Sequence, residues 1–108
     1  MANSFTSNTS RVIGVIDSTG ASDAITVKGS KLLDISVDMD TNSFTGTIQL
    51  QRETNAGAAN AAAWETIESY TTSVEKVAQS ATTRRYRLNC SVDSGGTAQI
   101  ELTAGNFS

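Results

Sequence analysis

The chain has 108 residues, of which 38% are hydrophobic and 18% are charged, and its formal net charge is −3 at pH 7. This length predicts a single domain with one core, and the negative balance argues against nucleic-acid binding, which requires a basic surface. Histidine is absent, so the commonest general base and the commonest metal ligand are both missing.

The composition also favours β-structure. Ser and Thr make up about a quarter of the residues; Thr suits strand faces and Ser suits turns. The single cysteine, Cys90, cannot form an intramolecular disulfide, so nothing indicates a secreted, disulfide-linked module. No apolar run approaches the ~20 residues that span a bilayer, and the polar N-terminus lacks the apolar segment of a signal peptide. We therefore expect a protein synthesised in the cytoplasm, with no membrane partner.

Residues 1–10 form a polar segment with one aromatic side chain, Phe5. Chain termini are commonly disordered, so a frayed end is the simpler interpretation. The alternative is an arm that becomes ordered on a partner, with Phe5 as its anchor. In either case we expect residues 1–10 to be an N-terminal arm and residues 11–108 to be the folded domain.

Four strands are predicted in the first half of the chain, at residues 11–17, 24–28, 31–40 and 44–53. In the fourth, Phe44, Ile48 and Leu50 share one face and polar residues occupy the other, which is typical of a half-buried strand. Residues 41–43 predict a turn that joins the third and fourth strands into a hairpin. Gly46 indicates a bulge, or a close approach by another backbone or ring.

In the second half of the chain, residues 54–63 predict a flexible loop. Four more strands are predicted after it, at residues 64–70, 74–78, 84–92 and 97–102. Residues 93–96 are a strong turn signal, so the last two strands are expected to form a hairpin. The fold class that follows is all-β: a single β-sandwich, or flattened barrel, of about seven to eight mostly antiparallel short strands.

No residue set predicts catalysis or metal binding. The segment 38–42 imitates the start of a calcium loop, but Ser43 and Gln49 occupy the positions where that loop requires glycine and glutamate. Cys90 lies on the inward parity of its strand with no histidine to activate it, so a small core residue is the better interpretation. We expect no catalytic residues, no metal and no cofactor.

Three glutamates could in principle serve an all-carboxylate glycosidase, although nothing in their placement singles them out: Glu53, Glu65 and Glu68. An enzyme is therefore the least supported of the function classes.

Arg84, Arg85 and Arg87 are the basic cluster of the chain, and Arg85 and Arg87 share the outward parity of their strand. One interpretation is that they pair with carboxylates on adjacent strands. The other is that they contact an acidic protein partner, since arginine is enriched in interfaces. Both interpretations remain open from the sequence.

Trp64 and Tyr70 share one parity, and two interpretations apply to them as well. Aromatic faces can form a platform for sugar rings. The commoner role is burial, in which Phe44, Trp64 and Tyr86 supply much of the apolar area of a small sandwich. The sequence favours burial.

The segments FTGTIQLQR (44–52), WETIESY (64–70), YRL (86–88) and SGGT (94–97) resemble small β-sandwich virion proteins of tailed bacteriophages, most closely capsid decoration, or cement, proteins. This resemblance implies a structural protein without catalysis. It also implies a homo-oligomer, commonly a trimer, that binds the major capsid protein on the outer surface of the virion and stabilises the shell.

The resemblance further implies that a terminal arm becomes ordered on the shell. The interface residues that we predict are Phe5 in the arm and the outward-facing Arg85 and Arg87. Related sandwich modules also occur in phage tails and fibres, so the alternative function is a receptor-binding or carbohydrate-binding module of a tail appendage.

Overall fold

The computed structural model describes residues 3–54 and 64–106, and within these ranges the chain forms ten β-strands. The strands are β1 (Ser4–Asn8), β2 (Arg11–Ile16), β3 (Gly20–Ala21), β4 (Ile25–Val27), β5 (Leu32–Asp38), β6 (Gly46–Glu53), β7 (Trp64–Tyr70), β8 (Val74–Gln79), β9 (Arg84–Asp93) and β10 (Ala98–Gly105). The predicted all-β class is confirmed, with β1 and β3 added to the eight strands expected. The loop predicted at 54–63 lies, apart from Thr54, outside the described residues.

The strands form two five-stranded sheets that pack against each other as a β-sandwich. Sheet A has the order β1-β2-β10-β5-β8. Sheet B has the order β3-β9-β6-β7, and β4 pairs with β9 beside β3. Every pairing between these strands is antiparallel, as the sequence predicted for most of them.

The core lies between the two sheets because the central strands alternate apolar and polar residues. On β5, the buried side chains are Leu33, Ile35 and Val37. From sheet B, Ile48 and Leu88 meet them and are both fully buried. Each aliphatic side chain of this size contributes roughly 1.5–3 kcal/mol when it leaves water. The period-2 pattern therefore determines the core.

Neither predicted hairpin exists. The strand β5 pairs with β10 and β8, whereas β6 pairs with β7 and β9. Consequently the β5–β6 and β9–β10 connections both cross from one sheet to the other. Alternation identifies the buried face of a strand but not its neighbour, because backbone hydrogen bonding is the same for nearly all residues.

The two connections cross side by side and bind each other. The Thr45 amide donates to the Gly95 carbonyl at 2.9 Å, and the Ser94 amide donates to the Thr45 carbonyl at 2.8 Å. Gly96 has a φ of +79°, and a Cβ there would lie 2.2 Å from the Ser43 carbonyl oxygen. The turn residues 93–96 therefore pair with the other crossing segment instead of closing a hairpin.

Gly46 confirms the predicted close approach. A Cβ at this position would lie 2.1 Å from the Val92 carbonyl oxygen and 3.0 Å from Cζ of the Phe44 ring. The pairing of β6 with β9 shifts register next to it, between Thr47 and Ile48. The glycine therefore serves both the bulge and the contact with the backbone and the ring.

The N-terminal segment is part of the sandwich. Residues 4–8 form the edge strand β1, which pairs with β2 and places Phe5 opposite Gly14. The Phe5 ring is half-buried against the core, and a Cβ on Gly14 would come within 2.9 Å of it. The expectation of an arm separate from the domain is therefore corrected for these residues, because Gly14 leaves room for a strand and an aromatic ring.

Candidate functional site: the outer face of sheet B

A β-bulge in β7 determines which side of sheet B carries the tryptophan. Leu50 of β6 pairs with Glu68, whereas the next residue, Gln51, pairs with Thr66, so Ile67 is the extra residue. The bulge reverses the parity of β7. Tyr70, after the bulge, points into the core and is 9% exposed.

Trp64, before the bulge, pairs with Glu53 and lies half-buried on the outer face. The prediction that Trp64 belongs to the core is therefore wrong, whereas Phe44 and Tyr86 are buried as expected. A signal for the bulge is present in the sequence WETIESY. Its apolar residues Trp64, Ile67 and Tyr70 do not share one parity, as they would in a regular half-buried strand.

Two arginines of β9 lie against the Trp64 ring. The Cζ atom of Arg87 is 4.4 Å from the ring centroid, and that of Arg85 is 5.5 Å away. A guanidinium at such distances is attracted by the ring quadrupole, by about 0.5–1 kcal/mol at an exposed site and more when it is desolvated. We call Gln51, Glu53, Trp64, Arg85 and Arg87 the Arg–Trp cluster.

Arg87 is held by a buried amide. Its Nε donates to Oε1 of Gln51 at 2.8 Å, and Gln51 is only 9% exposed. Withdrawal of the guanidinium from water lowers the pKa of Arg87. The Gln51 amide also donates from Nε2 to Oγ1 of Thr66 at 3.2 Å. The side chain of Gln51 thus connects β9 to β7 across the central strand β6.

Arg85 forms an ion pair with Glu53 on the adjacent strand β6. Its Nε lies 3.1 Å from Oε2 of Glu53, and its Nη2 contacts the same oxygen. The hydrogen bond from Arg85 lowers the pKa of Glu53, and the same bond raises the pKa of Arg85. Arg84 donates from Nη1 to the Glu53 carbonyl oxygen at 3.2 Å. Pairing with a carboxylate on an adjacent strand is therefore confirmed for Arg85.

The polar ladder continues along the face, where Asn89 donates from Nδ2 to Oε1 of Gln49 at 3.1 Å. Side chains of three strands are thus fixed in one layer, and little conformational entropy remains to be lost when a partner binds. The outward positions of the arginines were predicted from the sequence. Gln51 was not singled out, and Glu53 was named only among the carboxylates of a possible glycosidase; the available signal for both was their outward parity on β6.

The predicted interface residues do not lie on one surface. Arg85 and Arg87 are on the outer face of sheet B, whereas Phe5 is in sheet A, where its ring contacts the core. Phe5 therefore acts as a packing residue of β1, and its predicted role as an anchor on a partner remains a prediction.

The outer face of sheet A has a different chemistry. A groove of about 560 Å³ is lined by Ile13 and by the carboxylates Asp38, Glu75 and Glu101, among others. Asp38, Glu75 and Glu101 each accept a side-chain hydrogen bond, and Asp40 also lines the groove. Glu101 accepts from Arg11 Nε at 2.9 Å, which lowers the pKa of Glu101. The groove is therefore acidic, and the carboxylates of Asp38, Glu75 and Glu101 are engaged locally.

The calcium-like segment serves as a turn. Asp38 accepts hydrogen bonds from the Thr41 hydroxyl at 2.6 Å and from the amides of Asp40 and Thr41. The hydroxyl contact is the main cause of the lowered pKa of Asp38. In residues 3–54 and 64–106, no three His, Cys, Asp or Glu side chains are grouped so that they could hold a metal ion. The carboxylate of Asp38 is used to cap its own turn.

The remaining candidate groups have structural partners. Cys90 is 1% exposed, and burial raises the pKa of its thiol. The burial confirms the prediction that Cys90 is a core residue. The raised pKa disfavours the thiolate, which is the reactive form. Glu68 accepts from the Tyr70 hydroxyl at 2.6 Å and pairs with Lys76 of β8. The hydrogen bonds from Lys76 and Tyr70 lower the pKa of Glu68. A carboxyl that acts as a general acid near neutral pH needs a raised pKa instead.

No family model, curated protein or solved structure matches the chain. In the described parts of the chain, no helix is long and apolar enough to cross a membrane.

Proposed function

We propose that the chain is a non-enzymatic virion structural protein of a tailed bacteriophage, a decoration protein that binds the major capsid protein through the Arg–Trp cluster. The observation that carries the proposal is the contact of Arg87 with the Trp64 ring at 4.4 Å, fixed from below by the buried amide of Gln51. Tryptophan and arginine are the residues most enriched among those that dominate binding energy. Here they lie in one hydrogen-bonded layer on the outer face of sheet B.

A pre-ordered sheet face suits a shell protein because little conformational entropy is lost when it binds. Binding to the assembled shell, and not to its dissociated subunits, stabilises the shell by mass action. Many copies on one particle, each tied to neighbouring subunits, add their effects. Such a role needs no pocket and no chemical step.

The test is to measure binding to purified particles of the virus that encodes the chain, after the native protein has been stripped from them. We expect occupancy on the order of hundreds of copies per particle, and we expect Arg85→Ala and Trp64→Ala to weaken binding about ten-fold or more. A copy number in the single digits or tens would contradict the assignment to the capsid.

Arg11→Ala is the matched control for Arg85→Ala. Both arginines lie on an outer sheet face in an ion pair with a glutamate, and their side chains are 49% and 46% exposed. The control should leave binding unchanged. If Arg11→Ala weakens binding as much as Arg85→Ala does, sheet B is not the binding face.

The second candidate function is a carbohydrate-binding module of a tail or fibre. The observation that favours it is the bulge at Ile67, which presents Trp64 on the outer face that also carries the amides of Gln49 and Asn89. Trp64 is the single tryptophan of the chain, so its fluorescence reports directly on an occupied site. Saturable quenching by oligosaccharides, lost in Gln49→Ala, would support this function; an unchanged spectrum would exclude it for the sugars used.

A further inference from the structure

The strand β8 is an edge of sheet A with one side unoccupied. It pairs with β5 over six consecutive residue pairs without a register shift. In the described part of the chain, no backbone hydrogen bond outside the strand ladders reaches residues 74–79. Alternate residues of β8 therefore direct their N–H and C=O groups away from the sheet, where they can pair with another strand.

The other two long edges are less suited to pairing. The strand β7 is interrupted by the bulge at Ile67, and bulges protect edges. The strand β1 offers only short polar side chains on its outer face, those of Ser4, Thr6 and Asn8. By contrast, β8 is regular and carries Val77, which at 61% is the most exposed large hydrophobic residue of the described chain.

A charge on an edge strand normally discourages pairing. The charge of Lys76 is engaged elsewhere, because its ammonium group pairs with Glu68 of β7 across the open side of the sandwich. Lys76 therefore opposes the pairing of β8 with another strand less than a lysine that extends into solvent would.

Symmetry restricts how two copies of β8 could pair. A two-fold axis perpendicular to the sheet keeps each side chain on its own face, so residues of equal parity must lie opposite each other. Two registers satisfy this condition while pairing five of the six residues of β8 with the other copy, those with Lys76 or Val77 opposite its own copy. The first places like charges directly opposite each other, which is destabilising.

The register centred on Val77 has no such conflict. It pairs Val77 with Val77, Glu75 with Gln79 and Lys76 with Ala78. We propose that two copies of this chain associate by antiparallel pairing of β8 with β8 around Val77, so that two copies of sheet A become one ten-stranded sheet. The contact covers the most exposed valine and satisfies the free backbone groups of both edges. It is independent of the proposed capsid function.

Cysteine crosslinking tests both the contact and its register. In Val77→Cys, the new thiols would lie opposite each other, and mild oxidation with oxidised glutathione should give a covalent dimer in high yield. The native Cys90 is 1% exposed and should not interfere. Lys76→Cys faces Ala78 in this register, so it should crosslink poorly, and Ile13→Cys, at 40% exposure on β2, controls for random collision.

Equal yields from the three variants would overturn the proposal, and a higher yield from Lys76→Cys would overturn the register. Sedimentation equilibrium provides the second measurement. The wild type should approach twice the chain mass of 11.3 kDa as concentration rises, and Val77→Lys should remain a folded monomer by circular dichroism. Val92→Lys, at a site 48% exposed, should still dimerise.

A wild type that stays monomeric, or that forms a trimer unaffected by Val77→Lys, would contradict pairing through β8. The trimer would instead point to the three-fold association that the sequence resemblance implies.

Discussion

The outer faces of the two sheets are built from the same alternating pattern, yet they differ in how their polar groups are joined. On sheet B, the Arg–Trp cluster connects β9, β6 and β7 through Gln51 and the Trp64 ring. On sheet A, the contacts stay in small separate groups, such as Arg11 and Thr103 with Glu101, and Ser36 with Glu75. The Trp64 ring shields the polar groups of the cluster from water. Their hydrogen bonds should therefore contribute more to stability than those on sheet A, because hydrogen bonds and charges interact more strongly where water is excluded.

The largest difference between the faces is expected at Gln51. Gln51→Ala removes a buried amide and leaves Arg87 and Thr66 without that partner, so it should lower the free energy of unfolding by about 2–3 kcal/mol. Urea denaturation followed by circular dichroism measures this. The counterpart on sheet A, Ser36→Ala, should cost about 0.5 kcal/mol. If Gln51→Ala and Ser36→Ala lower the free energy of unfolding equally, the Arg–Trp cluster does not stabilise the fold more than the contacts on sheet A do.

A smaller difference is expected between the arginines. Arg87→Ala loses the contact with the Trp64 ring and the bond to Gln51, at a cost of about 1–2 kcal/mol. It should also shift the Trp64 fluorescence maximum, because the ring gains water contact. Arg87→Lys should not restore stability, since an ammonium cannot stack on the ring as a planar guanidinium does.

Arg11→Ala supplies the comparison for sheet A. It removes an exposed ion pair, and such pairs contribute on the order of 0.2–1 kcal/mol, so its effect should lie at the low end of that range. Sodium chloride should diminish the effect further through screening. An Arg11→Ala cost as large as that of Arg87→Ala would remove the distinction between the faces.

The smallest predicted effects are on the stability of the fold at acidic pH. The pKa values of Glu53, Glu68 and Glu101 lie below their ordinary value of 4.5 because Arg85, Lys76 and Arg11, respectively, donate hydrogen bonds to them. A carboxyl whose pKa is lower in the folded state than in the unfolded state stabilises the fold at pH values above its unfolded-state pKa. That contribution is lost as pH falls from about 5 through 4.5 and below.

Stability should therefore be constant near neutral pH and decline below about pH 5, by on the order of 0.2–1 kcal/mol for each of these exposed pairs. Urea midpoints measured between pH 7 and pH 3.5 test this. Glu53→Gln and Glu68→Gln should each make the decline shallower, whereas Glu65→Gln, an exposed residue of β7, is the control. A decline of the same steepness in all three variants would show that these ion pairs do not cause it.

Much of the candidate site follows from parity alone. The outward positions of Arg85 and Arg87 were predicted because Leu88 and Cys90 on the same strand had to face the core, and both are buried. The ion pair of Arg85 with a carboxylate on an adjacent strand was one of two interpretations left open. The position of Trp64 was not predictable by counting residues, because a single bulge residue reverses the parity of everything before it.

The sequence by itself determined the all-β class and the buried face of each central strand. These depend on local alternation, which acts within a few residues. The tertiary structure alone decided that β5 and β6 belong to different sheets, that residues 4–8 join sheet A, and that Trp64 meets Arg87. Strand pairing depends on backbone groups that nearly all residues share, so only the assembled packing of both sheets selects the partners.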